Sequence, residues 1–305
     1  MRWIRVQNTT RLLLGFLVLS IAGAVAHPPD ESICHTALAQ SIPPRARFAM
    51  TGSEFVRHVA ALSEPQREQA ILKQLLAGNV PDFLRTLRSV QLRHTLEDKR
   101  TVTATVCVTP DYLAIGADDD FLRIPMNLYT AMAVASRFGF VLPTKKLVDI
   151  IYDQSAYRLT PEPMTPGPQM RSTTYYETHN RKIKEQCLAR GMPLGALVAG
   201  HKKDVVLTNR LAHRPGSIAI YGWHRQAGLP IQPLSTVHGA RYADYSHGIR
   251  LVSDTVWLDG QPWSIYKVLQ HPELAKVLSA EGAISSLPQY HSAPFAQQLT
   301  ELEEF

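Results

Sequence analysis

Five of the chain's 12 histidines fall between residues 201 and 250: His201, His213, His224, His238 and His247. The same stretch carries Lys203, Asp204, Tyr221, Trp223, Tyr242, Asp244, Tyr245 and Arg250. Titratable groups and polar aromatics gathered this densely are what a preorganised site requires, because bringing several together takes a scaffold. The centre of the stretch is Thr236-Val237-His238-Gly239-Ala240-Arg241-Tyr242-Ala243-Asp244-Tyr245-Ser246-His247-Gly248-Ile249-Arg250-Leu251. Read as a strand, residues 241–246 put Tyr242, Asp244 and Ser246 on one face and Arg241, Ala243 and Tyr245 on the other. His238 and His247 flank that strand beside Gly239 and Gly248, where the backbone turns sharply.

An aspartate between two histidines has two chemical uses. It orients an imidazole and stabilises its charged form during acid–base catalysis. Alternatively, His238, Asp244 and His247 form a two-histidine, one-carboxylate metal set, with zinc as the metal considered. The bland alternative is that these side chains bond only backbone and water. The catalytic set expected from sequence is therefore His238, Asp244, His247, Arg250 and Tyr242, with His224 as a third ligand or relay if its strand lies alongside. Arg250 or a lysine of 202–203 would stabilise developing negative charge. Trp223, Tyr221, Tyr245, Lys203 and Asp204 are the expected substrate contacts; Trp223, Tyr221, Tyr242, Tyr245 and Trp257 would be an aromatic platform in a sugar-binding version. His201, with the charge run Lys202-Lys203-Asp204, reads as a solvated turn. His213, beside Arg214-Pro215-Gly216, reads as a turn without a role.

The elements that must hold this set can be read along the chain. Residues 63–76 open with a capping box and Pro65 in the first turn, and Gly78 and Pro81 end them as a helix. Residues 101–108 alternate polar and apolar with β-branched residues, which predicts a strand; residues 89–94 are its hairpin partner and 111–115 continue the sheet. Asp118-Asp119-Asp120 reads as a solvated turn in preference to a calcium loop. Helices are expected over 128–138, 144–152, 174–190 and 263–278, with a proline-rich loop over 158–171. Short strands are expected at 196–198, 205–208, 217–221 and 248–258. This order predicts an α+β fold, a mixed and largely antiparallel sheet flanked by helices in one main domain over residues 51–290.

The first 26 residues have the form of a signal peptide. Arg2, Arg5 and Arg11 precede an apolar run over 12–25, which ends in Ala24-Val25-Ala26. The run is shorter than the ~20 residues a spanning helix needs. Cleavage would leave His27 first, followed by an irregular leader over 27–50; a polar tail occupies 291–305. An N-terminal histidine is a copper chelator in a histidine brace, although a coincidental first residue is the favoured reading here. Losing the three arginines lowers the formal charge of +6 by three, to +3. That balance gives no argument for nucleic acid and is compatible with an extracellular polymer or cell-envelope component. The expected location is secreted or periplasmic, with no membrane span after signal removal. Three cysteines permit one bridge and one free thiol, or no bridge at all; Cys107 reads as core, and a Cys34–Cys187 bridge is one pairing the sequence allows without requiring it.

Ser246-His247-Gly248-Ile249-Arg250-Leu251, preceded by His238-Gly239, resembles the signature of the L,D-transpeptidases of bacterial cell walls. That resemblance implies a β-rich catalytic domain acting on cell-wall peptide. The family's nucleophilic cysteine would fall between Gly248 and Ile249, where this chain has none, and acyl transfer fails without the thiolate. A broader likeness, resting on Asn79-Val80-Pro81-Asp82-Phe83-Leu84-Arg85, Lys202-Lys203-Asp204-Val205-Val206, Tyr221-Gly222-Trp223-His224 and Asp244-Tyr245-Ser246-His247-Gly248, is to a set of uncharacterised exported bacterial proteins. It implies one domain with these segments close together. The resulting expectation is an exported hydrolase of an extracellular or cell-wall polymer, working through a His/Asp centre with zinc as an option. The alternative is a non-catalytic binder of carbohydrate or cell envelope.

Overall fold

The structure is a computed structural model that describes residues 33–34, 41–225 and 228–284. The signal segment, His27, most of the leader and the 291–305 tail lie outside the described residues. Two helices lead into the large sheet. Helix α1 (Gly52–Val59) is capped by Thr51, and Glu54 closes its capping box. Helix α2 (Glu64–Leu76) starts at Ser63 with Gln66 completing the box and Pro65 in the first turn. Each such cap satisfies backbone N–H groups that a helix start would otherwise leave unpaired. Strands β1 (Arg88–Thr95) and β2 (Thr101–Val108) then pair antiparallel in unbroken register. Val102, Ala104 and Val106 are buried while Thr101 and Thr103 are exposed, so the alternation in sequence becomes two faces.

Next come β3 (Ala114–Gly116) and β4 (Phe121–Arg123), α3 (Leu128–Arg137), β5 (Phe140–Val141), α4 (Lys145–Gln154), β6 (Tyr157–Arg158) and the 17-residue α5 (Thr173–Ala189). The second half adds β7 (Val198–Ala199), β8 (Lys203–Val205), β9 (Ile220–His224), β10 (Pro230–Ser235), β11 (His247–Gly248), β12 (Val252–Leu258), β13 (Gln261–Ser264), α6 (Ile265–Gln270) and α7 (Ala275–Leu278). A five-stranded antiparallel sheet runs β1-β2-β12-β13, with β5 also on β12. A four-stranded sheet runs β10-β9-β8-β11, in which only β8–β11 is parallel. The α+β class expected from sequence is the one observed.

Four expectations change. Residues 111–115 do not extend the large sheet: Pro110 offers no N–H for a ladder, and Ala114–Gly116 pairs with β4 around the Asp118–Asp120 turn. Residues 241–246 form a loop. The helix over 263–278 is instead an edge strand and two short helices, parted around Pro272. The turn before that strand is Asp259-Gly260, with both residues at positive φ (47° and 80°), the hairpin chemistry of Asp-Gly. The disulfide joins Cys34 to Cys107, with Cα atoms 5.4 Å apart, and Cys187 stays free. Helix α5 keeps the Cys187 thiol half-buried against Arg123, away from the sheet strand that carries Cys107. Spanning 73 positions, that bridge restricts the unfolded chain by about 4 kcal/mol in the chain-entropy account.

The end of β2 positions the polar centre. Beyond Val108, Thr109 N–H donates to Leu251 O (2.9 Å) and Leu113 N–H to Ile249 O (2.7 Å). Segments 109–113 and 249–251 thus link the large sheet to β11 of the small one. Among the described residues no helix is long and apolar enough to cross a membrane.

Candidate functional site

The β8–β11 ladder sorts the polar residues onto two sides. His247 lies beside Lys203 and Gly248 beside Asp204, and residues paired in register share a face. One face therefore carries Lys203 and His247. On the other, Asp204 stands next to a glycine, and the Tyr112 ring fills the space: a Cβ on Gly248 would come within 2.6 Å of it.

On the His247 face, Asp244 is the hub. Its Oδ1 accepts from Ser246 N–H (2.8 Å) and Ser246 Oγ (2.5 Å), and its Oδ2 from the Tyr242 hydroxyl (3.0 Å). Tyr242, Asp244 and Ser246 do converge as the alternation implied, but they do so by a loop folding around the carboxylate. Tyr245 points the opposite way, its hydroxyl accepting from Met164 N–H (2.8 Å). His238 stacks on Tyr242 with ring centroids 4.0 Å apart, and Tyr242 packs edge-on to His247 at 5.7 Å. Burial by itself would raise the Asp244 carboxyl, but the His247 ring when charged, the Ser246 bonds and the Lys203 ammonium hold it below the usual range. Burial pushes His247 down to about 4, against the pull of Asp244, so the ring is neutral near pH 7. Lys203 is also lowered by burial, and its Nζ sits 5.0 Å over the Trp223 ring.

His247 is fully buried, yet neither ring nitrogen has a partner. The same holds for both nitrogens of His179 on α5 and for Trp223 Nε1. His179 packs against Tyr245 (4.9 Å) and Trp223 (6.5 Å). Leaving a buried donor or acceptor unpaired costs about 1–3 kcal/mol, so such groups in a native fold call for an explanation. Between them Lys202 is sealed in, donating to Tyr245 O (2.6 Å), and burial lowers it to about 7.

On the opposite face Asp204 accepts from the Tyr112 hydroxyl (2.8 Å), and burial raises it to about 6. Arg250 is not poised for a reactant. Its guanidinium donates to Thr109 O (2.7 Å) just beyond β2 and to Val198 O (2.6 Å) on β7, and lies on the Tyr112 ring, which makes it a brace between the end of the large sheet and the separate β6–β7 pair. His201 is buried and not on a solvated turn; its Nε2 meets Asp111 Oδ1 at 3.1 Å, and Arg123 pairs with Asp111 Oδ2 at 2.7 Å.

His224 joins neither set. Its Nε2 meets Asp149 Oδ1 (3.0 Å), which also accepts from Tyr221 (2.6 Å), while Lys145 bonds the other oxygen (2.8 Å). Gly222 at φ 108° and Trp223 at φ 57° break the strand alternation there, sending Trp223 and His224 into different surroundings. The aromatic platform is not presented at the surface: Trp223, Tyr221 and Tyr245 are buried, and Trp257 belongs to β12 of the other sheet. The metal triad is not assembled either. Both Asp244 oxygens are engaged, and among the described residues no group of three or more His, Cys, Asp or Glu is arranged to hold an ion.

The sequence reading missed His179, Asp111, Tyr112 and Arg123. His179 and Asn180, the uncharged polar pair in an otherwise charged helix, both turn out to be buried. Compared with known proteins, the chain matches no family model, no curated protein and no solved structure.

Proposed function

We propose that the chain is an exported hydrolase of an extracellular or cell-wall polymer, with His247 and Asp244 at its reaction centre. One observation carries the reading: a fully buried His247 ring whose two nitrogens have no protein partner, beside Lys203 in the β8–β11 ladder and close in sequence to Asp244. Burial favours the ring's neutral form, and, against burial, the Ser246 bonds and Lys203 favour the ionised form of Asp244. Such a ring is equipped to take a proton from water attacking a carbonyl or acetal carbon. Asp244 would stabilise the imidazolium formed, and the Lys203 ammonium the negative charge developing on oxygen. The imidazolium then returns its proton to the departing amine or alcohol, which closes the cycle. His238 and Tyr242 are half-buried and stand at the outer side of the ring, where substrate would enter. Export is supported by the Cys34–Cys107 bridge, a feature of oxidising compartments.

The test incubates the purified chain with peptidoglycan and with neutral polysaccharide, counting new amines and reducing ends. Asp244→Asn and His247→Gln should each lower turnover by about 10²-fold or more, with folding verified by circular dichroism. Turnover equal to the parent in both variants would remove these residues from the mechanism.

A further inference from the structure

Away from the buried cluster, at the far end of the large sheet, lies a cleft of about 400 Å³. It is separated from the cluster by the eight residues of β2, roughly 25 Å at ~3.3 Å per residue. Two turns meet there, tied by Asp259, whose Oδ1 accepts from Thr103 N–H (2.8 Å) and Thr103 Oγ (2.9 Å). The floor is apolar, formed by Val102 and Leu258. Trp263 and Gln261, two apart on the edge strand β13, stand on one face above it. Trp263 is 43 % exposed, and Glu273 also lines the cleft.

We propose that this cleft binds a neutral sugar unit of a glycan, with the pyranose ring laid on Trp263 and its hydroxyls bonded to Gln261, Asp259 and Glu273. A flat aromatic face left in water is stabilised by covering it with the apolar C–H face of a ring. The polar rim then fixes which ring. Asp259 and Glu273 oppose an anionic ligand; Arg100 is already paired with Asp98 at 2.7 Å, and the His271 ring, also in the lining, accepts the Glu273 and Leu274 N–H groups at Nδ1. A hydrocarbon would strip water from those carboxylates without replacing it. A polyhydroxyl ring supplies donors for Glu273 and for the Asp259 oxygen that Thr103 leaves open. The site requires no catalysis and stands apart from the hydrolase reading; its role would be to hold the chain on its polymer.

The experiment titrates chitotetraose and cellotetraose, both neutral, into the full chain, followed by calorimetry and tryptophan fluorescence. At least one should bind. Trp263→Ala should weaken that binding about tenfold or more, a loss of ~1.4 kcal/mol, while Trp263→Tyr stays within a few-fold of the parent. Both changes sit on an exposed edge strand, and an unchanged thermal midpoint confirms folding. Three results overturn the site: no binding at millimolar sugar, equal binding by Trp263→Ala, or a neutral tetrapeptide binding there in place of the sugars. His247→Gln should bind sugar like the parent, so failure of the hydrolase centre and failure of this cleft read out separately.

Discussion

Two aspartate–histidine groups are buried within this fold, and they differ in how completely they are paired. Around Asp111 almost every polar atom is used: Arg123 grips one oxygen, and His201 and the Tyr112 N–H share the other. Burial would raise that carboxyl, but Arg123 and His201 hold it far below the ordinary range. Around Asp244 the carboxylate is also satisfied, by Ser246 and Tyr242, but the neighbouring His247 is left without a bond. The Asp111 set keeps one loose end, the buried His201 Nδ1, but its other ring nitrogen is bonded to the carboxylate, which fixes the ring in one conformation. A bare imidazole beside a carboxylate costs stability, and proteins keep such costs where function needs them.

The sharpest way to break this contrast is Arg123→Met. Removing one partner of a buried ion pair strands the other, so stability should fall by about 3–5 kcal/mol in urea unfolding. A loss below ~1 kcal/mol would mean Asp111 does not depend on it. His247→Leu should do the reverse. It deletes two unpaired nitrogens at similar volume, so stability should stay level or rise by about 1–2 kcal/mol while turnover disappears. A clear loss of stability would show that the ring is held by bonds after all.

Acid titration sharpens the comparison further. His247 is lowered to about 4 in the folded chain, against ~6.5 when unfolded. Between those values the unfolded chain binds more protons, so this residue makes stability fall as pH drops from 6.5 to 4. Its share approaches ~1.4 kcal/mol per pH unit. Asp204, raised to about 6, and Glu68, raised to about 7, protonate first in the folded chain and act the other way. The difference between the parent and His247→Leu, measured by urea unfolding from pH 7 to 4, isolates the histidine; parallel curves would refute a neutral buried ring. The smallest effect belongs to Tyr242→Phe, which removes one hydrogen bond to Asp244 and should cost about 1 kcal/mol.

Where the controlling forces are local, the sequence already determined the structure. The capping box at Ser63, the period-two pattern of β2 with its hairpin partner, and the start of α4 at Thr144 all follow from neighbours a few residues apart; the equally local box at Thr51 was not read from the sequence. The sequence also picked out Asp244, His247 and Tyr242 by density and spacing. It did not reveal the loop at 241–246, because a carboxylate binding its own neighbours imitates strand alternation. Tertiary structure alone decided that His179 from α5 meets Trp223 and Tyr245, that Arg250 braces the end of the large sheet against β7, and that Lys202 and His201 are sealed inside. Those outcomes depend on desolvation and on pairing between segments far apart along the chain, and neither quantity exists until the core has closed around them.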